Sequence, residues 1–243
     1  MRTVKYLLTI TVVPAVTAAL MVLLPSIAQS QQDLDATKVD SRHHWVEFEN
    51  DQVRVVRYVL PAGETTNKHS HPNIVNVLLT DANAKITTED GKSTDFHGKA
   101  GAAAWRLATT HVYENTGYKA IEGVIVEPKT PHSARPAGSA DETTFPGSVA
   151  KVEFENDQIR VVRYHFEPGQ KNEMHGHPDL VQIPLTDAKA NVTTPDGKTT
   201  PFEAKAGQVR WRPALQHSVQ NTGDKPFEGI LVEMKGTPAG APK

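Results

Sequence analysis

Residues 169–177 read GQKNEMHGH and residues 63–71 read GETTNKHSH, two stretches 106 positions apart that hold a glycine and a His-x-His pair at one register. The correspondence runs far beyond them. Val46 to Lys129 aligns without a gap on Val152 to Lys235, so that His69, His71 and His111 recur as His175, His177 and His217. Self-similarity on this scale marks a repeated structural unit, and the chain divides into two units of roughly 100 residues each. Inside each unit the apolar residues alternate or fall in short runs bounded by turn residues, the period-two signature of strands, while helical periodicity is nearly absent. In the second copy strands are expected at 152–154, 159–166, 173–177, 180–185, 190–194, 209–212, 217–221 and 227–234. Glycines in Glu89-Asp90-Gly91-Lys92 and Pro195-Asp196-Gly197-Lys198, and again in Asn115-Thr116-Gly117 and Asn221-Thr222-Gly223, stand where tight corners need positive φ. Evenly spaced short strands in so small a unit fit an all-β, double-sheet jelly roll, with an immunoglobulin-type sandwich as the alternative.

The 243 residues also carry a distinct N-terminus, in which Arg2 and Lys5 precede an apolar run from Leu7 to Leu24 and then Ser26-Ile27-Ala28. That pattern predicts a secretory signal peptide over residues 1–28, and a periplasmic or secreted protein; an uncleaved anchor is the alternative, against which Pro14, Pro25 and the small residues after it weigh. An N-terminal domain is expected over 29–130, a linker or extended arm over 131–146, a C-terminal domain over 147–235 and a flexible tail over 236–243. The polar stretch 29–44 is expected to be partly disordered, with Trp45 docked on the first barrel and His43 and His44 on the surface. Without Arg2 and Lys5 the chain has 24 basic against 28 acidic residues, so nothing attracts nucleic acid or an anionic membrane in general. It has no cysteine, so neither disulfides nor a lipidated cysteine can hold it. Rigidity must come from packing, and from bound metal if there is any.

The histidines suggest that there is. In a strand both imidazoles of His175-Gly176-His177 project from one face about 6–7 Å apart, a separation that one ion can bridge. A closed antiparallel barrel can bring His217 across its interior as a third donor. Three protein nitrogens with further positions open describe a catalytic site better than a sealed structural one. A lone His-x-His on a strand is commonly a surface pair; its recurrence in both copies weighs against that here.

Gly169, then five residues, then His175-x-His177, with Pro213, His217 and Asn221 following, resembles the two motifs of the cupin superfamily. The chain after its N-terminus resembles a bicupin, which implies two tandem cupin-type double-stranded β-helix (jelly-roll) barrels, each with a divalent metal. In that family the first motif continues with a glutamate; here its position is held by Gln182 and, in the first copy, Asn76. The ligand sets implied are His175, His177, His217 and Gln182 in the second barrel and His69, His71, His111 and Asn76 in the first. An amide does not cancel metal charge, so a more positive ion is expected than in most relatives. Imidazole-rich, carboxylate-poor sites suit copper or iron first, then zinc, nickel and manganese.

Of the remaining residues, Glu173 stands two positions before His175 and is a candidate base or hydrogen-bond partner of an imidazole, with Gln182 as its catalytic companion, the alternative being a solvated carboxylate at a strand end. Arg210 and Arg212 share a face and could hold an anion, although such arginines are more often solvated. Trp211, alternating with them, reads as core. Lys68 beside the first histidine pair makes the second copy the expected seat of activity. These readings favour an exported metal-dependent oxidoreductase of oxidase or dioxygenase type acting on a small organic or carbohydrate substrate, with self-association possible. A non-redox isomerase or lyase, or a metal-containing binding module without turnover, are the alternatives.

Overall fold

A computed structural model describes residues 34–129 and 134–235, so the expected signal segment and tail lie outside the described residues. In the first repeat a single helical turn, Ala36–Val39 (α1), precedes nine strands: His44–Glu49 (β1), Val53–Leu60 (β2), His69–His71 (β3), Ile74–Leu78 (β4), Ala82–Thr88 (β5), Ser93–Gly98 (β6), Ala103–Arg106 (β7), Thr109–Asn115 (β8) and Ile121–Pro128 (β9). The second opens on a 3-10 turn, Glu142–Thr144, and repeats the series as Ala150–Glu155 (β10), Ile159–Phe166 (β11), His175–His177 (β12), Leu180–Pro184 (β13), Ala188–Thr193 (β14), Thr199–Ala204 (β15), Arg210–Arg212 (β16), Leu215–Asn221 (β17) and Phe227–Met234 (β18). Each repeat folds into a five-stranded sheet, ordered β1-β2-β9-β4-β7 or β10-β11-β18-β13-β16, facing a four-stranded one, ordered β3-β8-β5-β6 or β12-β17-β14-β15. These are two tandem jelly-roll barrels, as the resemblance to cupins implied, and not the immunoglobulin-type sandwich that strand spacing left open.

The sixth strand of the second repeat was not legible as one. β15 reads TTPFEA, mostly exposed, with a proline in the middle. It pairs only with β14 and lies at the sheet edge, where Pro201 can withhold its missing N–H without breaking a ladder. Two of the four glycine corners differ from expectation. Gly91 and Gly197 have φ of 79° and 81°, but Gly117 and Gly223 are not among the positive-φ glycines. Their corners are made by asparagine: Asn115 Oδ1 accepts from Gly117 N at 2.9 Å while its Nδ2 donates to Lys119 O at 2.8 Å and Leu60 O at 2.9 Å, and Asn221 does the same for its own copy.

The central strands of the five-stranded sheets, β2, β9 and β4 with β11, β18 and β13, are largely buried on both faces, which explains runs such as VRVVRYVL in β2. Val53, Val55, Val75, Val77, Val124 and Val126 of the first repeat form one core with Ile159, Val161, Val181, Ile183, Ile230, Val232 and Met234 of the second. Each such side chain removed from water contributes about 1.5–3 kcal/mol, so the barrels are joined by a true core rather than by a tether. Aromatics cross the seam reciprocally: Phe48 stacks on Trp211 at 6.3 Å and Phe154 on Trp105 at 6.4 Å. Arg57 donates to Gly207 O and Arg163 to Gly101 O, again a mirrored pair. Trp211 is core-packed as expected; Trp45 is not, being 42% exposed, because Phe48 takes the place at the seam. Alternation then fixes the site. With Val181 and Ile183 facing the seam, Leu180 and Gln182 must face the interior of the second barrel.

Candidate functional site

β12 pairs antiparallel with β17, setting His175 directly opposite His217, and β3 pairs with β8 so that His69 faces His111. All three residues of β12 and of β3 are buried. In the second barrel the imidazole centroids lie 4.7, 4.7 and 5.3 Å apart. In the first, His69, His71 and His111 are separated by 4.9, 4.6 and 5.6 Å. Both sets of three histidines named from sequence are therefore brought together.

The tautomers follow from the partners. His175 Nδ1 lies 2.8 Å from Glu173 O and His177 Nδ1 2.6 Å from Glu233 Oε1, so each Nδ1 carries the proton and donates it. That leaves both Nε2 atoms with lone pairs, yet they face each other at 2.9 Å, and Glu142 Oε2 is 3.1 Å from His175 Nε2. Three acceptors converging in a buried space repel unless a cation sits among them. The spacing suits one: donors at ~2.1 Å from a metal and ~90° apart are ~3 Å from each other. In the first barrel His69 Nδ1 is likewise committed to Asn67 O at 2.8 Å, and His69 Nε2 meets His111 Nε2 at 3.1 Å. The residues present fit a divalent ion in each barrel.

Burial, reinforced by the neighbouring imidazoles, keeps His69, His71, His111, His175 and His217 neutral and able to donate. It lowers His69 to about 2, His71 and His111 to about 3, and His175 to about 4, and it holds His217 well below the usual histidine range. Behind each site runs a repeated ion network. Arg160 Nη1 reaches Asp141 at 2.8 Å and Glu233 at 3.3 Å, and Arg54 Nη1 reaches Asp35 at 2.7 Å and Glu127 at 3.3 Å. Glu233 thus orients His177 while being held by arginine, the outer-shell arrangement that fixes a ligating ring. Glu127 lies farther from His71 Nδ1, at 3.6 Å, and burial lifts its carboxyl to about 7.

Several sequence readings are corrected. His44 and His43 are not surface residues but 4% and 2% exposed. His44, aligned by its Nδ1 on Asp40 Oδ2 at 3.0 Å, joins His69 and His71 in a group whose ligand atoms lie within 4.8 Å of one another. The Glu173 side chain is exposed, and its contribution is the backbone carbonyl that holds His175. The buried acid beside His175 is Glu142 instead, from the stretch read as linker, so the second barrel is not short of a carboxylate. Gln182 lines the cavity with its Nε2 3.3 Å from Tyr164 Oη; Asn76 hydrogen-bonds Tyr58, and its Oδ1 is buried without a partner. A signal for the missed residues exists in the chain: Asp35-Ala36-Thr37 and Asp141-Glu142-Thr143 lie at the same 106-residue offset, just upstream of where the gapless match begins.

Each centre opens on a cavity, about 380 Å³ in the first barrel and 290 Å³ in the second. The second is lined by His177, His217, Gln182, Tyr164, Arg210 and Arg212. Arg210 is turned to Glu203 O at 2.7 Å and Gln208 at 2.9 Å. Arg212 lies over the Phe202 ring at 5.3 Å, and burial beside Arg210 lowers its affinity for a proton.

No family model matches the sequence. The beta-alanine degradation protein BauB of Pseudomonas aeruginosa is 33% identical over 94 residues, which are 37% of this chain and 96% of that protein. Among solved structures, AerE from Microcystis aeruginosa superposes with a TM-score of 0.55 at 13% identity, covering 79% of this chain and 92% of its own. The oxalate decarboxylase of Bacillus subtilis, studied for its Mn(II) centres, has a TM-score of 0.52 at 18% identity over 80% of this chain and 72% of its own. A cupin 2 conserved barrel domain protein from Leptotrichia buccalis reaches 0.51 at 15% identity, over 79% and 88%.

Proposed function

We propose that this chain, which belongs with BauB to one family and folds as two cupin-type barrels, is a metal-dependent enzyme whose second barrel acts on a small organic acid. The observation that carries the reading is the convergence of the His175 and His177 Nε2 lone pairs, 2.9 Å apart, at the floor of an open cavity whose wall presents Arg212. A divalent ion there would supply Lewis acidity and, where it is iron or copper, one-electron chemistry with dioxygen as the electron acceptor. His175, His177 and His217 hold it, with Glu233 fixing the ring of His177.

The protein's own groups do the rest. Arg212 has no carboxylate in ion-pair contact among the described residues, so its guanidinium is free to take a substrate carboxylate. Gln182 and Tyr164, already hydrogen-bonded to each other, present an amide and a phenol to a substrate oxygen. Leu180, Phe202 and Leu231 close the wall with apolar surface and limit water. A guanidinium favours an acid over a neutral carbohydrate. The names of the relatives point the same way, since β-alanine and oxalate are both small carboxylates. The apolar, positively charged N-terminus further supports an exported enzyme.

The test is a panel of small carboxylic acids and sugars with protein loaded with Cu(II) or Fe(II), following substrate loss and oxygen uptake. Turnover of an acid with oxygen consumed, and a raised KM in Arg212→Met with kcat little changed, is the expected result. Turnover without oxygen uptake would replace the redox reading with a lyase or isomerase one. No turnover of any acid would overturn the proposal.

A further inference from the structure

The arms that precede the two barrels differ more sharply than the barrels do. Each lies along the edge of the His-x-His strand: Ser70 N donates to Leu34 O at 2.8 Å, and Gly176 N donates to Ala140 O at 3.0 Å. The fit at the second is close, since a Cβ on Gly176 would stand 2.2 Å from Ser139 Oγ. Docked this way, α1 and the 3-10 turn bring residue 36 or its counterpart 142 over the histidines. Position 36 is alanine and position 142 is glutamate, only 4% exposed. Conversely, β1 starts on His44 where β10 starts on Ala150, and these two residues share a register, facing Tyr58 and Tyr164.

The supporting residues change together. Asp40, which holds His44, is matched by Pro146, and Thr66 is matched by Asn172, whose Nδ2 donates to Glu142 Oε1 while its Oδ1 accepts from Val219 N at 2.6 Å. Each copy therefore has one aimed donor and the apparatus to aim it, and each has alanine where the other has its donor. Chance burial of a carboxylate does not account for Glu142 standing 3.1 Å from the lone pair of His175.

We infer that the arms supply a fourth protein ligand to each centre, His44 in the first barrel and Glu142 in the second, so that one chain carries two chemically different metal sites. The inference rests on the metal reading above. In the second barrel Glu142 takes over the charge that Gln182 withholds, lowering the net charge of the centre by one and suiting it to a harder ion such as Mn(II) or Fe(II). In the first, the four imidazoles of His44, His69, His71 and His111 leave the ion its full charge and suit Cu(II), Ni(II) or Zn(II). Copper preference, predicted from sequence for both barrels, then belongs to the first.

Folding of the test variants is safeguarded by the repeat, because His44→Ala and Glu142→Ala each install the residue that the other copy already carries. The full-length mature protein is titrated with Cu(II) and followed by electron paramagnetic resonance, since four-nitrogen and three-nitrogen-one-oxygen copper centres differ in g∥ and copper hyperfine splitting. Wild type should give two superposed spectra; His44→Ala should change only one and Glu142→Ala only the other. Titration with Mn(II) should show one class of site weakened at least about tenfold in Glu142→Ala and unaffected in His44→Ala. If both variants keep both wild-type copper spectra, the arms are not ligands although the barrels bind metal. If wild type binds no Cu(II) at all, the metal reading itself fails and this inference with it.

Discussion

Arg160→Met tests whether the network behind the second centre stabilises the fold as well as orienting His177. Arg160 is about one-tenth exposed and lies between Asp141 at 2.8 Å and Glu233 at 3.3 Å. Burial alone would raise Asp141, but hydrogen bonds from Arg160 and Thr143 outweigh it and bring the carboxyl from 3.8 to about 2. That drop corresponds to about 2.5 kcal/mol, of which Thr143 and Arg135 retain a part in the variant, and the partial exposure of Asp141 trims it further. Glu233 is 2% exposed and keeps His177 and, at 3.5 Å, Arg135. Truncating one side of a buried ion pair costs ~3–5 kcal/mol when the remaining charge has nothing else, so a loss of about 3 kcal/mol at pH 7 is expected. The Asp141 share is present in full above pH 4 and is lost as pH falls through about 2, since its folded pKa is depressed. Urea denaturation of the metal-free protein measures the loss, as a midpoint lowered by about 1 M for a slope near 3 kcal/mol/M. Arg54→Met, the same change in the first copy, serves as an internal repeat. Arg160→Met/Glu233→Gln should recover part of the stability, because no buried charge is left unpaired, yet bind metal more weakly than wild type. A loss below about 1 kcal/mol, or no recovery in the double variant, would refute the reasoning.

Acidification should destabilise the metal-free protein well before its carboxylates titrate. His175, lowered to about 4 by burial, and His69, His71 and His111, lowered to about 2–3, stay neutral in the fold while the unfolded chain gains protons below about pH 6.5. Stability is then lost as pH falls from 6.5 toward 4, at about 1.4 kcal/mol per pH unit for each histidine, offset in part by Glu127, whose raised pKa has the opposite sign; urea midpoints at pH 7.5 and 5 that agree would contradict this. Gly229→Ala puts a Cβ 2.2 Å from Tyr164 Oη and 2.9 Å from Ile183 O, and should cost about 1–3 kcal/mol and weaken substrate binding by displacing Tyr164 from Gln182, both read from thermal melts and KM. Trp211→Ala, which empties a half-buried place at the seam beside Phe48, should cost about 2–3 kcal/mol and lower the melting of the whole molecule in one transition; two separated transitions would mean that the barrels unfold independently.

Much of the fold was legible because alternation and repetition are local. Ile159–Phe166 and Phe227–Met234 carry enough branched and aromatic residues that their limits fall where the sequence puts them. β15 escaped because an edge strand buries little, so its alternation is written in threonine and glutamate rather than in valine. Gly117 and Gly223 need no positive φ because the asparagine side chain two positions earlier turns the corner, which a glycine count does not register.

The histidine sets were determined by sequence alone, since a period of two forces both members of a His-x-His pair onto one face and the duplication repeats them in register. The all-β class followed from the same periodicity, and the choice of barrel over sandwich from the resemblance to cupins. What only the tertiary structure decided is which residues complete each centre, because Glu142 and His44 reach the histidines through arms laid along a strand edge, a path set by backbone hydrogen bonds between segments distant in sequence. Direction of the sheet faces was decided there too: valine-rich strands announce burial on both sides, but only packing of one barrel on the other shows which side is seam and which is site. Local pattern is fixed by bonded geometry, whereas donor convergence depends on loop paths that sequence spacing does not encode.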